Sequence, residues 1–206
     1  PVIELNDWYQ SVDINNETKI IIGAPAEKFA IDNNGELESW VVSFFQGDIS
    51  IKNNSNATFE NEVEIEGSHL HINDSTAVFN EKLNIWDTRN SSPVIEQDND
   101  FSGGDLSLDN STLDIKGEAE FEDTSVLINH GSTAKIDNLT GYGSTIYVVN
   151  DSKLEIDKDA FFGGTHLIVK DSKLEINKNA IFENGTHLIV KDNSNTTING
   201  ALIVEY

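Results

Sequence analysis

A phrase near the C-terminal end of this chain occurs twice. Asp151-Ser-Lys-Leu-Glu-Ile156 returns as Asp171-Ser-Lys-Leu-Glu-Ile176. Gly164-Thr-His-Leu-Ile-Val-Lys-Asp171 returns as Gly185-Thr-His-Leu-Ile-Val-Lys-Asp192. A period near 20, made of alternating apolar and polar residues without a helical stretch, marks stacked β-coils.

The repeat extends backwards in weaker form. A turn serine recurs at Ser55, Ser75, Ser111, Ser132, Ser152, Ser172 and Ser194, at successive spacings of 20, 36, 21, 20, 20 and 22. Short alternating runs precede it, such as Leu70-His-Ile72, Leu106-Ser-Leu108 and Leu167-Ile-Val169. A second run follows, as in Leu113-Asp-Ile115 and Leu154-Glu-Ile156, and then an apolar anchor: Phe121, Phe161 or Phe162, Ile181 or Phe182. Alternation at period two puts one set of side chains inside and the other outside. Three short strands per period, separated by Asn, Asp, Gly and Ser, describe a three-sided coil whose turns stack about 4.8 Å apart. The expected fold is all-β: a right-handed parallel β-helix with about 20–21 residues per coil. An antiparallel sandwich does not predict near-identical phrases one coil apart. Hexapeptide, leucine-rich and heptad periods are absent.

This frame divides the chain. Residues 48–206 form the expected β-helix, and residues 1–47 are N-terminal coils or a cap, richer in aromatics and without a clear repeat. The spacing of 36 between Ser75 and Ser111 exceeds one coil by about 16 residues, which places an excursion near residues 86–104. Loops projecting from a rigid solenoid are where specificity is carried. Trp86, Arg89 (the chain's one arginine), Asp98 and Asp100 are therefore the candidate binding residues.

Composition narrows the function. Lys plus Arg is 13 and Asp plus Glu is 36, a net charge of −23. That field repels phosphates, and no basic stripe offsets it, which excludes a nucleic-acid partner. No apolar run approaches the roughly 20 residues of a membrane span, so membrane insertion by this segment is not expected. Cysteine is absent, and a long ladder of hydrogen bonds and apolar stacks needs no disulfides. Pro stands first and Met is absent, so a mature or excised segment is the expectation.

Motifs for chemistry are few. Asp98-Asn-Asp100-Phe-Ser102-Gly103 starts like a calcium loop, but its twelfth position is Asp109 instead of the bidentate Glu, and Leu106 and Leu108 belong to the coil. His166 and His187 fall one coil apart, two ligands without a third. No metal and no cofactor are expected. A β-helical lyase needs a cationic base, and one arginine in a chain of this charge is a poor supply. Carboxylates are plentiful, yet none stands in the clustered segments of polygalacturonase-type hydrolases. No serine sits in a GxSxG setting. Asn-x-Ser/Thr sequons are abundant, at Asn53, Asn73, Asn110, Asn150 and Asn184 among others. Asn, Asp and Ser favour turns, so such triplets arise wherever a coil bends.

Gly104-Asp-Leu-Ser-Leu-Asp-Asn-Ser-Thr-Leu-Asp-Ile115 and Asn129-His-Gly-Ser-Thr-Ala-Lys-Ile136 resemble the coils of passenger domains of Gram-negative autotransporters and two-partner-secreted adhesins. The resemblance covers roughly residues 49–206. It implies a non-enzymatic scaffold, secreted or displayed on the bacterial cell surface. Its implied partners are a host receptor, matrix or glycan, or other copies of itself. A carbohydrate-active β-helix, such as a phage tailspike, and a passive stalk are the alternatives.

Overall fold

A computed structural model describes residues 49–66, 69–86 and 106–205, and before them the backbone of six strands between Val2 and Phe45. The chain is a parallel β-solenoid without helix among these residues. Its strands fall into three stacked columns, the three faces of the coil. The first face is a 9-stranded sheet running from Val12–Ile14 through Thr145–Val149 to His187–Lys191. The second climbs from Val2–Leu5 through Lys153–Ile156 and Lys173–Ile176 to Asn195–Ile198. The third climbs from Ser43–Phe45 through Leu83–Trp86 and Ala160–Gly163 to Leu202–Val204. Two long strands, Thr112–Glu122 and Thr133–Tyr142, run through the corner between the second and third faces and join them into one 16-stranded sheet.

Register follows the repeated phrases. Lys153, Leu154, Glu155 and Ile156 pair with Lys173, Leu174, Glu175 and Ile176, and His166–Lys170 pairs residue for residue with His187–Lys191. Every such pairing is parallel, so like residues pile into columns. The inward columns make one continuous core. Leu106, Val126, Ile146 and Leu167 stack on the first face, and Ile115, Ile136, Ile156 and Ile176 on the second, all buried. Each such side chain removed from water contributes about 1.5–3 kcal/mol. Between neighbouring aromatic anchors the structure selects Phe162 and Phe182 as inward and turns Phe161 and Ile181 outward.

The surplus between Ser75 and Ser111 lies in one place. Leu70 pairs with Leu106, Thr76 with Thr112 and Leu83 with Ala119, so all three faces skip the same stretch and resume register above it. The extra residues lie between Trp86, the end of a third-face strand, and Leu106, the start of a first-face strand. The first turns are shorter than the rest. Val2 pairs with Lys19 and Lys19 with Glu36, a closer spacing than that of the next pair, Glu36 with Asn56.

Two corners close with buried hydroxyls. Between the first and second faces, the amides of Ser55, Ser75, Ser111, Ser152 and Ser172 each donate to the hydroxyl of the serine one turn above, at 3.0–3.3 Å. Hydroxyls of this ladder in turn donate to a carbonyl two or three residues back, as Ser132 Oγ does to Asn129 O at 2.5 Å. Asn, Asp and His residues beside them take left-handed backbone, for instance Asn110 at φ 46° and Asp171 at φ 48°, a conformation that Asn and Asp tolerate best after Gly. A second ladder, Thr124, Ser144, Thr165 and Thr186, does the same between the third and first faces. Thr124 Oγ1 also reaches Ile85 O at 3.0 Å, sealing the stack where the excursion leaves it.

Candidate binding surfaces

Period-two alternation that fills the core also sets what each face shows to solvent. On the second face the outward columns pass from Asn56, Thr58, Thr76 and Val78 in the lower turns to ionic residues from Asp114 upward. Lys135 Nζ lies 3.0 Å from Asp157 and 3.7 Å from Glu155, Lys153 bonds Glu155 on its own strand and lies 3.4 Å from Glu175 above, and Lys173 lies 2.9 Å from Glu175. The Lys173 and Lys153 ammoniums hold the Glu175 carboxyl below its ordinary range, and Lys135 does the same to Asp157. The bond to Glu155 raises the Lys153 pKa, and the bond to Asp157 raises that of Lys135. Depressed carboxylates stabilise the fold above their unfolded pKa, and that contribution fades as pH falls through the folded value. Raised lysines contribute below 10.5, and their share fades as pH rises through the folded value. These exposed pairs contribute little each.

The third face changes character as it climbs. One outward column reads Glu64, Asn84, Glu120, Thr140, Phe161, Ile181, Ile203. Its lower half is acidic, with Lys82 bound to Glu120 at 2.6 Å and Thr140 to Glu118 at 3.2 Å. Its upper half is aromatic and aliphatic. Tyr142, in the adjoining outward column, is 43% exposed and leans on Phe161, ring centroids 5.2 Å apart at 50°. The Tyr142 ring lies over Gly163. A Cβ there would come within 2.9 Å of the Tyr142 ring, so only glycine lets the tyrosine lie down. The result is an apolar strip with a phenol at its edge on a flat sheet, bordered by carboxylates.

On the first face a second buried cluster stands apart from the core. Leu127, Tyr147 and Val149 point opposite to the core residues Ile128, Ile146 and Val148, yet all three are buried, with Ile168 packed beside them. Burial pushes the Tyr147 phenol up. The histidines of the repeated phrase stack above one another on this face, His166 on His187 at 5.1 Å and 10°. His130 Nδ1 lies 2.8 Å from Asp109 Oδ1. Among the described residues no group of three or more His, Asp or Glu is gathered for a metal ion. Two shallow polar clefts, about 290 and 240 Å³, follow the serine corner beside Asp74 and Asn110 and beside Asp151 and Asp171.

The sequence-derived site is placed in part. Trp86 ends the strand Leu83–Trp86, where its backbone pairs with Glu66 below and Glu122 above. Arg89, Asp98 and Asp100, with the calcium-like stretch, lie outside the described residues. The excursion leaves from the column that carries Trp86, Glu122 and Tyr142, so Tyr142 stands two turns above its root. Sequence reasoning missed the strip of Tyr142, Phe161, Ile181 and Ile203. The signal was the doubled apolar anchor in Phe161-Phe162 and Ile181-Phe182, since alternation sends one member of each pair outward. It missed the Thr/Ser ladder as well, though a hydroxyl recurs before each first-face strand at Thr124, Ser144, Thr165 and Thr186. Comparison with protein-family models, with curated proteins and with solved structures finds no match to this chain.

Proposed function

We propose that this chain is a non-catalytic binding segment of a secreted or surface-displayed bacterial protein, of the autotransporter-passenger or two-partner-adhesin kind. It attaches to a host surface, matrix or glycan, or to other copies, through the flank of the solenoid. The observation that carries the reading is the third-face strip at Tyr142 and Phe161, two turns above the root of the 87–105 excursion on the same edge. A rigid, flat sheet with exposed aromatic rings at low conformational cost is what a broad attachment surface needs.

The test compares three proteins for adhesion to host cells, extracellular matrix and immobilised glycans. They are the parent, a Tyr142→Ser/Phe161→Ser variant, and a variant in which residues 87–105 are replaced by a three-residue Asp-Thr-Ser corner like Asp123-Thr124-Ser125. Both altered proteins keep the parent's β-rich spectrum and lose most of the binding. Unchanged binding in both would mean a passive stalk, and turnover of a glycan by the parent would mean a carbohydrate-active enzyme. Either result overturns the proposal.

A further inference from the structure

Two consecutive turns of the first face are buried on both sides. In Ser125–Asn129 and Thr145–Val149 the inward Val126, Ile128, Ile146 and Val148 belong to the core. The outward Ser125, Leu127, Asn129, Tyr147 and Val149 are buried too, with Leu127 at 4% exposure, Tyr147 at 5% and Val149 at 0%. In the turns below and above, outward Ser107, Asp109, Ile168 and Lys170 are only half-buried. Gly163 apart, no other outward strand residue among the described ones is buried. Stacking alone therefore leaves outward side chains partly in water, as it does Asp114 and Glu155 on the second face. A further layer of chain must lie on these two turns. Ser125, Tyr147 and Lys170 each engage a further hydrogen-bonding, ionic or ring partner, as residues beneath such a layer would.

Length and position single out one segment for it. Residues 87–105 depart after Trp86, the end of a third-face strand, and return at Leu106. Leu106 opens the first-face strand directly beneath Ser125–Asn129. The covered turns stand one and two above that point, about 5 and 10 Å away. The 19 residues from 87 to 105, taken out and back, reach roughly 30 Å. The other stretches between strands that lie outside the described residues hold six residues or fewer, two to five turns below Ser125–Asn129. A six-residue stretch reaches about 10 Å out and back, and those of that length must climb about 19 Å or more. The shorter ones fall short likewise. Chemistry agrees with reach. Pro93-Val-Ile95 and Phe101 are apolar within a polar stretch, and Glu96, Asp98 and Asp100 complement Lys170 at the edge of the patch.

We infer that the outward patch of Leu127, Tyr147, Val149 and Ile168 is the seat of residues 87–105, whose apolar side chains pack upon it. Burying that surface offsets the cost of ordering the segment. The excursion is then a second layer fixed to the first face and not a free arm. Its seat lies on another face from the Tyr142–Phe161 strip, so it stands whether or not that strip is adhesive.

Photo-crosslinking of the full chain, read by mass spectrometry, tests it. Tyr147→p-benzoylphenylalanine should couple within one chain to a peptide from 87–105, and Lys173→p-benzoylphenylalanine on the second face should not. Coupling to another part of the chain, coupling between two copies, or no coupling at Tyr147 would each overturn the inference. A second measurement needs no unnatural residue. Replacing 87–105 by Asp-Thr-Ser uncovers the patch, so an apolar dye such as anilinonaphthalene sulfonate should bind with several-fold higher fluorescence than in the parent. Leu127→Ser/Tyr147→Ser in that background should remove the gain. A shortened chain that binds no more dye than the parent, or a gain that survives the serines, would contradict the seat.

Discussion

The inside and the outside of this solenoid obey different rules although the same strands build both. Inward columns hold to one chemistry from turn to turn: Leu113, Ala134, Leu154 and Leu174 in one, Ile115, Ile136, Ile156 and Ile176 in another. Outward columns do not. The second face carries paired lysines and carboxylates, the third passes from Glu64 and Glu120 to Phe161 and Ile181, and the first mixes Leu127 and Tyr147 with His166 and His187. A side chain inside has a fixed neighbour above and below and a fixed volume, so its neighbours choose it. Outside, only solvent and a partner choose. The interior therefore specifies the fold, and the flank is where one fold acquires a particular function.

Substitutions of opposite facing test the comparison most sharply. Ile156→Asp buries an unpaired carboxylate where the parent side chain is 0% exposed, and it should cost several kcal/mol and unfold the adjoining turns. Glu155→Ser, one residue earlier on the outward side, should change stability by no more than about 0.5 kcal/mol in chemical denaturation. Equal losses for the two would show that the strand faces the other way.

The corners give a finer version of the same test. Ser132→Ala removes the bond to Asn129 O and leaves the buried Ser111 amide without its 3.0 Å acceptor, a loss of about 1–3 kcal/mol. Ser152 occupies the equivalent place one turn up, yet its hydroxyl is buried without a partner among the described residues. Ser152→Ala should therefore be close to neutral. A Ser152→Ala loss as large as that of Ser132→Ala would mean that the ladder runs unbroken through this turn.

The same contrast explains what the sequence made legible. Each alternating run from Leu70-His-Ile72 onward is a strand of the expected facing, because period two encodes facing directly. The turn serines proved to be a structural ladder, which also accounts for the sequons. In Asn110-Ser111-Thr112 the Asn supplies the left-handed turn and the Ser the buried hydroxyl. Residues 1–47, expected as coils or a cap, showed no clear repeat because the spacing of their turns, Val2 to Lys19 to Glu36, is closer than the frame set by the turn serines. The Ser75 to Ser111 gap located the excursion, but it says nothing of how Arg89, Asp98 and Asp100 are arranged. The apolar strip of the third face was half visible: a doubled apolar anchor shows that one residue faces out, and only register shows that Phe161 stands one turn above Tyr142 in the adjoining column.

Zero-length coupling of amines to carboxylates, read by mass spectrometry of the digested monomer, tests the stacked parallel turns most directly. Coupling requires contact, and the register puts Lys135 against Asp157, Lys158 against Asp137 and Lys153 against Glu175, each pair one turn apart and within 3.4 Å. These three links, together with Lys82 to Glu120 at 2.6 Å, should dominate the coupled peptides that join different turns. Links that instead join residues mirrored about a hairpin, with these three absent, would contradict parallel stacking and the division of inside from outside that rests on it.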